Sequence, residues 1–400
     1  MKIKLHTQIL ISMVLGILAG FLFKEQVNKF YFLGDLFIRL LRMVIVPLLF
    51  SSLVVAITSI GNIRKLGALG AKTISLFITT TLFASTIGLF FVNIISPGSN
   101  SHILLGEHAT KIPTLETFSL SELLQELIPA NALSAMTNDK MLGVIFFSIL
   151  LGAVMTVLGN KAALVTKTIE SLNEIMLKMT SWIMKLAPIG VFALIAGIIA
   201  NTGAKAIKPL SLYIITIIIS LGVHTLIVLF SLLKIYGGYN PLRFVKQVFP
   251  AIATGFSTAS SIATLPVTIE CLSKRVGVSR KVTGFVSSLG ATMNMNGTAA
   301  FQTIAAVFIA QAYGIELTIT QQIMIILTAT LASIGAAGIP SGSLITIAII
   351  LKSINVPLEG IGLIIVVDRI IDMCRTSINV FGDTCAATII AKQEGEDLNN

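Results

Sequence analysis

Polar side chains stand one helical turn apart in an otherwise apolar segment near the end of the chain. A repeat of three or four residues places such side chains on one face of a helix. Each charged group near the centre of a bilayer costs about 2.5 to 3.5 kcal/mol even on the gentlest insertion scale. This polar stripe must therefore face the protein interior, where it meets partners, ions or water. Its members are Asp368, Asp372, Arg375, Thr376, Asn379 and Asp383.

The chemistry of the polar stripe suits an acidic amino acid and a cation. The guanidinium of Arg375 is a planar fork of donors that fits a carboxylate, and the carboxylate of Asp372 fits an ammonium group. Asp383 and Asn379 offer the hard oxygen ligands that an alkali cation needs when it sheds water. The simpler alternative is an internal ion pair between Asp372 and Arg375. Arg369 lies off the stripe, and we interpret it as snorkelling or paired locally.

A second polar run interrupts the preceding apolar segment, at Gly290-Ala-Thr-Met-Asn-Met-Asn-Gly-Thr298. A helix broken at this point would expose backbone carbonyls to a bound ion. Asn and Thr side chains also hold transmembrane helices together, so the run alone is a weak signal.

The composition places these segments in a membrane. Charged residues make up 12% of the 400 residues and hydrophobic residues 55%, whereas soluble domains carry about 25% charged residues. The length leaves room for about eight to ten spans. The net charge of +10 comes from bases scattered in short loops, which argues against a nucleic-acid partner. The three cysteines show neither metal spacing nor a disulfide framework.

Six spans are predicted in the first part of the chain, the first of them a retained helix rather than a cleaved signal peptide. Lysine and arginine recur at every second loop, which predicts a cytoplasmic amino terminus. Lys205 and Lys208 do not follow this pattern, because they fall on the predicted outer side. The polar connection 97–140 is expected to face out. The spans cover residues 8–23, 33–60, 68–96, 141–159, 176–200 and 209–233.

Two later apolar stretches contain too much Ser, Thr, Gly and Pro to cross the membrane. Residues 248–274 have basic flanks on both sides, which predicts a re-entrant hairpin from the cytoplasm, and residues 320–352 suit a hairpin from the outside. A long helix follows each, at 280–310 and 361–390. Such inverted, interrupted pairs indicate a binding site near the bilayer midplane. Kinked packing helices are the alternative.

Four ordered motifs resemble those of the glutamate transporter family, the dicarboxylate/amino acid:cation symporters. The resemblance covers nearly the whole chain. It implies a single all-α polytopic membrane domain of about eight transmembrane helices plus two re-entrant hairpins, with inverted repeats. The motifs are the hairpin ending Thr264-Leu-Pro266, the run Asn294-Met-Asn-Gly-Thr298, Ser333-Ile-Gly-Ala-Ala-Gly-Ile-Pro340, and Asp372-Met-Cys-Arg-Thr-Ser-Ile-Asn-Val-Phe-Gly-Asp383.

The resemblance also implies a homotrimer with an elevator mechanism. Residues 1–66 and 120–206 would form mainly the scaffold and trimer contacts. Residues 67–96 and 207–392, including both hairpins, would move across the membrane with the substrate. The outer hairpin would be the extracellular gate.

The site residues that the resemblance implies fall into one substrate set and three cation sites. Arg375 would hold the side-chain carboxylate of L-glutamate or L-aspartate, and Asp372 its amino group. The other substrate contacts would be Ser260, Ser261, Thr298, Ile339, Thr376 and Asn379. The cation sites would be Gly290, Asn294, Asn379 and Asp383; then Thr292, Ser333, Ile334 and Ala336; then Asn296, Thr80 and Thr81.

The chain departs from the family pattern at several of these positions. Asn296 stands where the family usually has aspartate, and Phe77 stands where some members have tyrosine. We therefore expect a weakened third sodium site. Ala259 and Met373 stand where relatives carry an arginine, and Ile262 replaces a residue of the serine run.

The sequence thus predicts a secondary active symporter without a cofactor, in the cell (inner or plasma) membrane, with both termini cytoplasmic and Na⁺ or H⁺ as driving ion. A C4-dicarboxylate, neutral amino acid or cystine carrier and a passive ion channel remain alternatives. An aspartyl protease is disfavoured, because Asp372 and Asp383 on one helix stand roughly 16 Å apart. His224 is a possible proton site, although a satisfied packing role is the simpler interpretation.

Overall fold

The fold, seen in a computed structural model, is described for residues 5–23, 26–27, 29–63, 68–99, 128–138, 140–202, 207–335 and 342–399. Every regular element in these ranges is helical, as predicted. In chain order they are α1 Leu5–Leu22, α2 Tyr31–Ile63, α3 Ala68–Ile95, α4 Ala132–Thr137, α5 Met141–Leu158, α6 Ala163–Met184, α7 Ala187–Thr202, α8 Ile207–Val223, α9 Phe230–Tyr236, α10 Pro241–Thr258, α11 Ser261–Cys271, α12 Arg280–Met293, α13 Asn296–Ala312, α14 Ile319–Gly335, α15 Gly342–Ser353 and α16 Ile361–Gln393.

Several of these helices have the length and composition of membrane spans. Four stretches are long and apolar enough to cross a bilayer: Tyr31–Thr58, Ala68–Ile95, Gly143–Met184 and Lys208–Tyr236. This confirms the prediction of an all-helical chain with apolar helices, whereas the number of spans stays a prediction.

The predicted span at 176–200 is wrong. Helix α6 ends at Met184 and α7 begins at Ala187, so the apolar run belongs to two helices. Pro188 lies in the first turn of α7, where its missing N–H would have no helical partner in any case. The two helices therefore meet at a turn that hydrophobicity alone does not reveal.

Helices α1, α2, α5, α6 and α7 pack together, and we call them the scaffold group. Glycine allows the closest approaches. A Cβ atom added to Gly20 of α1 would lie 2.8 Å from Cβ of Ile199 in α7, and one on Gly152 of α5 would lie 2.8 Å from Cβ of Ile57 in α2. Small residues at such crossings let helix backbones pack without intervening side chains.

The remaining long helices form a second group around α16, and we call it the core group: α3 and α8 to α16. Helix α3 lies against α13, where a Cβ atom on Gly88 would lie 2.9 Å from the carbonyl oxygen of Ala300. Helices α12 and α13 both pack on α16. The core group therefore holds the polar stripe between helices that carry the other polar motifs.

Hairpin 1 consists of α10 and α11 and continues in a π-helical turn to Val276. It begins before the predicted residue 248, because Asn240 caps α10 and Pro241 opens it. At its tip, Ala259 adopts a left-handed conformation with φ 49°. Ser260 then caps α11 by accepting a hydrogen bond from the Ala263 N–H at 3.2 Å. Hairpin 1 packs along α16 and α12 of the core group.

Hairpin 2 consists of α14 and α15, close to the predicted limits 320–352. Its tip, residues 336–341, lies outside the described residues. Both arms pack on α2 and α5 of the scaffold group as well as on α13. Hairpin 2 is thus the element through which the two groups make much of their contact.

Candidate functional site

The helical structure is interrupted between α12 and α13, opposite the polar stripe of α16. Helix α12 ends at Met293 and α13 begins at Asn296, which is the interruption that the polar run predicted. Gly297 lies against the stripe, because a Cβ atom there would stand 3.0 Å from Cα of Arg375. Only a residue without a side chain allows this approach. This helix interruption therefore places non-helical backbone beside the charged residues of α16.

Arg375 and Asp372 form a buried pair on α16. The Nε and Nη2 atoms of Arg375 donate to Oδ1 of Asp372 at 3.0 and 2.8 Å, and only 3% of the Arg375 side chain is exposed. The Arg375 guanidinium also stands over the Phe301 ring at 4.5 Å, a cation–π contact. Its Nη1 atom has no hydrogen-bond partner among the described residues and lies 3.7 Å from Oδ1 of Asp368.

Asn379 of α16 forms hydrogen bonds with the helix interruption between α12 and α13. Its Oδ1 atom accepts a hydrogen bond from the Gly297 N–H at 2.8 Å. Its amide group donates to Oγ1 of Thr298 at 3.1 Å and contacts the sulfur of Met295 at 3.2 Å. The structure thus brings together Asn379, Thr298 and the pair of Arg375 and Asp372, as the resemblance implied, and joins them by hydrogen bonds within the protein.

Asp383 is buried two turns from Arg375 at the other end of the stripe. Its Oδ1 atom accepts a hydrogen bond from the amide of Asn294 at 2.9 Å. Gly290 faces the same carboxylate, and the Oδ1 atom of Asn294 has no partner among the described residues. A buried carboxylate with so few donors needs a positive partner. These oxygens suit a dehydrated alkali cation.

Asn296 lies beside α3, where its Oδ1 atom accepts hydrogen bonds from Oγ1 of Thr81 at 2.8 Å and of Thr80 at 3.3 Å. Phe77 is buried on the same helix. The structure therefore brings together the three residues of the implied third cation site. The nearest acceptor of the Thr80 hydroxyl is the Leu76 carbonyl, at 2.9 Å. No carboxylate among these three residues supplies charge for a cation.

The implied site beneath hairpin 2 is described only in part. The Thr292 hydroxyl donates to the Leu289 carbonyl at 2.9 Å, and the Ser333 hydroxyl donates to the Thr330 carbonyl at 2.8 Å. Ile334 is half-buried. Ala336 and Ile339 lie outside the described residues.

Hairpin 1 reaches the stripe at Thr376. A Cβ atom on Gly255 would lie 3.5 Å from the Thr376 carbonyl oxygen and 3.1 Å from Val380. At the tip, Ser261 is buried and Ser260 is half-buried, with its hydroxyl engaged as a helix cap. The tip therefore lies on the core group, although neither serine hydroxyl forms a described contact with Arg375.

Three further side chains, Phe301, Arg369 and His224, have surroundings that the structure defines. Phe301 beneath Arg375 follows Gly297 by one turn, a spacing that could have suggested it. Arg369 pairs with Asp372, with Nη1 3.5 Å from Oδ2, which agrees with local pairing. His224 is fully buried in a π-helical turn, and neither ring nitrogen has a hydrogen-bond partner among the described residues, so it is not the satisfied packing residue we expected.

Known proteins of one family match this chain over nearly its whole length. The sequence profile of the sodium:dicarboxylate symporter family matches residues 5–393. The chain is 35% identical to the proton/sodium-glutamate symport protein of Geobacillus stearothermophilus, covering 99% of this chain and 96% of the relative. It is also 35% identical to the proton/glutamate-aspartate symporter of Escherichia coli K12, covering 98% and 93%. It is 34% identical to the human neutral amino acid transporter B(0), covering 92% and 74%.

Proposed function

Because the chain belongs to the sodium:dicarboxylate symporter family, we propose that it is a secondary active symporter that carries L-glutamate or L-aspartate together with a cation. The relatives named above as glutamate and glutamate-aspartate symporters support this substrate class. The observation that carries the proposal is the buried pair of Arg375 and Asp372 beside the helix interruption between α12 and α13. The pair offers one site for a carboxylate and one for an ammonium group in the same polar cavity.

Binding would exchange the partners of this pair. The side-chain carboxylate of the substrate takes the Nε and Nη2 donors of Arg375 that Asp372 occupies in the structure. Asp372 is then free to accept the substrate ammonium. Each ion thus leaves one buried partner for another, so neither is left unpaired, which would cost several kcal/mol. Thr298, Thr376, Asn379 and the tips of both hairpins, with Ser260, Ser261 and Ile339, provide the remaining contacts.

The coupling cation would bind at Asp383. Its carboxylate, the free Oδ1 atom of Asn294, the side-chain oxygen of Asn379 and the carbonyl of Gly290 would supply the oxygens. A second cation site beneath hairpin 2 would use Thr292, Ser333, Ile334 and Ala336. Names of relatives include both proton and sodium, so the driving ion is Na⁺ or H⁺, and no cofactor or catalytic step is needed.

Transport would proceed by an elevator movement in a homotrimer embedded in the cell membrane, with both termini cytoplasmic. The separation of the helices into a scaffold group and a core group supports this. Residues 67–96 and 207–392 would move together, because the helices that carry the site pack on one another. Hairpin 2, which packs on both groups, would act as the gate.

The test is uptake of labelled L-aspartate and L-glutamate into proteoliposomes under an inward sodium or proton gradient at matched voltage. We expect accumulation driven by one of the two ions. Arg375→Ala should abolish it while leaving the elution of the purified protein in size-exclusion chromatography unchanged, since the substrate carboxylate loses its partner. Undiminished uptake by this variant would contradict the assignment.

A neutral amino acid is the second candidate substrate, because the human relative is named for neutral amino acid transport. Such a substrate would need Asp372 but would leave Arg375 without a carboxylate. Competition of labelled aspartate uptake by serine or alanine at millimolar concentration separates the two candidates. Strong competition together with poor glutamate uptake would favour the neutral substrate.

A further inference from the structure

Asp372 has two arginine neighbours, one on each side along α16. Arg375 donates twice to Oδ1, at 3.0 and 2.8 Å. Arg369 approaches the other oxygen, with its Nη1 atom 3.5 Å from Oδ2. The two arginines therefore hold different oxygens of one carboxylate, and losing one of them leaves the other in place.

The two arginines differ in burial. The side chain of Arg375 is 3% exposed and that of Arg369 is 18% exposed. Arg369 is thus more accessible than Arg375, but it is shielded enough for its charge to act on Asp372 with little screening. A fully solvated arginine at this distance would contribute little.

Substrate binding would change the hydrogen-bond partners of Asp372. Under the proposed function, the substrate carboxylate takes the donors of Arg375, so Oδ1 of Asp372 loses both of its hydrogen bonds. Without a second partner, the carboxylate would be free to rotate and would be poorly oriented toward the ammonium group. An ion pair on Oδ2 opposes this rotation, because it attracts that oxygen toward Arg369 while Oδ1 stays available.

The surrounding charges agree with this role. Asp368, Arg369, Asp372 and Arg375 are the four charged residues of this part of α16, and they sum to zero. Asp368 faces Arg375, at 3.7 Å, so that Arg375 keeps a negative neighbour when Asp372 turns to the substrate. Arg369 is then the cationic neighbour that the structure gives to Asp372 apart from Arg375.

We infer that Arg369 is a positioning residue that holds Asp372 in the orientation that receives the amino group of the substrate. This inference rests on the proposed function. It assigns to Arg369 a part in selecting amino acids over dicarboxylates that lack an amino group. Succinate carries the same two carboxylates as aspartate but no ammonium, so it gains nothing from an oriented Asp372.

The test compares kinetics of L-aspartate uptake in proteoliposomes for the unmodified protein, Arg369→Gln, Arg369→Lys and Arg243→Gln. The last variant removes the same charge from an exposed position on hairpin 1 and is the control. Inhibition of aspartate uptake by succinate is measured for each variant. Asp372 keeps its two hydrogen bonds from Arg375 in this variant, so Arg369→Gln is expected to fold.

We expect Arg369→Gln to raise the KM for aspartate about tenfold, with Vmax within about twofold. The inhibition constant of succinate should change much less, so the ratio of that constant to the aspartate KM should fall about fivefold. Arg369→Lys, which keeps the charge but not the planar fork, should raise the KM about threefold. This variant carries the test if the glutamine variant does not fold. Arg243→Gln should leave both constants unchanged.

An unchanged aspartate KM in the Arg369 variants overturns the inference. So does an equal rise of both constants, because loss of a general positive charge or of local structure would affect succinate at least as much as aspartate. Failure of the proposed function has a different signature. In that case the unmodified protein itself does not accumulate acidic amino acids.

Discussion

At the scale of single residues, Gly290 and Asp383 approach each other closely in the proposed cation site. Gly290 stands on α12 where the carboxylate of Asp383 approaches its Cα atom, and a Cβ atom added there would lie 2.8 Å from Cγ of Asp383 and 3.3 Å from the Phe77 ring. The carboxylate would therefore have to shift, which disturbs its hydrogen bond from Asn294. The glycine is therefore needed for the geometry of the proposed cation site.

We accordingly predict that Gly290→Ala weakens coupling-ion binding. The half-saturating sodium concentration for aspartate uptake should rise at least fivefold, or the proton dependence should shift correspondingly if protons drive uptake. The matched control is Gly284→Ala on the same helix, where no atom lies within 4 Å of an added Cβ. Equal ion dependence of the two variants would show that Asp383 does not form the cation site.

Periodicity predicted which residues of α16 share a face, and the structure buries all six members of the stripe. It could not predict partners on other helices, since those depend on which helices meet. The hydrogen bonds of Asn379 to Gly297 and Thr298, and the position of Phe301 beneath Arg375, belong to this second class. Arg369 lies outside the predicted stripe but on the same helix, and its ion pair with Asp372 agrees with the local pairing expected from the sequence.

At the scale of elements, the residues after α16 tie several helices of the core group together. Glu394 pairs with Lys72 of α3 at 2.7 Å. Glu396 accepts hydrogen bonds from the N–H and hydroxyl of Ser279, which caps α12, at 2.8 and 2.5 Å. The Asn399 N–H donates to the Val276 carbonyl at 2.8 Å. We call residues 394–399 the carboxyl-terminal clasp.

The clasp also reaches the base of hairpin 1. The Tyr239 hydroxyl donates to the Asn399 carbonyl and, at 2.7 Å, to the side-chain oxygen of Gln247. Burial raises the pKa of the Tyr239 phenol further above neutral pH, so the phenol stays protonated and can donate. The clasp therefore connects the base of hairpin 1, the start of α12 and the end of α16, which must move as one body if the core group is an elevator.

We predict that Glu396→Ala loosens this connection. The start of α12 loses an anionic acceptor at its amino end, a change of about 1 kcal/mol. Amide hydrogen exchange in residues 276–283 should therefore become about fivefold faster. Asp397→Ala is the control, because it removes an exposed neighbouring acid. If the two variants exchange at the same rate, the clasp does not stabilise α12.

Sequence patterns predicted the presence of the two hairpins better than the residues at which they begin and end. Ser, Thr, Gly and Pro content revealed both hairpins, because a segment so composed does not span a bilayer unsupported. The start of hairpin 1 at Pro241 and the turn between Met184 and Ala187 were missed, since both lie within or beside apolar residues and are set by caps and packing rather than by hydrophobicity.

At the scale of the whole molecule, the charge moved in each cycle depends on how many cation sites work. At the proposed Asp383 site, the Oδ1 atom of Asn294 has no partner among the described residues and can join the carboxylate as a ligand. We propose a second cation beneath hairpin 2. At the third position, the Thr81 hydroxyl donates to the neutral side chain of Asn296 at 2.8 Å, and the Thr80 hydroxyl donates to the Leu76 carbonyl at 2.9 Å. Phe77 brings no oxygen. Two cations for each acidic amino acid would move one net positive charge inward, whereas a third would double it.

We therefore predict that, if sodium drives uptake, the unmodified protein moves two sodium ions with each aspartate and that Asn296→Asp adds a third. The new carboxylate would supply the charge that the amide lacks, and a buried carboxylate without a cation is strongly unfavourable. Reversal potentials of aspartate flux in proteoliposomes, measured at several sodium gradients, give the number of ions directly. The variant should also gain thermal stability as sodium is raised, more steeply than the unmodified protein, because sodium would bind its folded state at one further site. Three sodium ions per aspartate in the unmodified protein would contradict the argument, since the amide would then suffice for a third site.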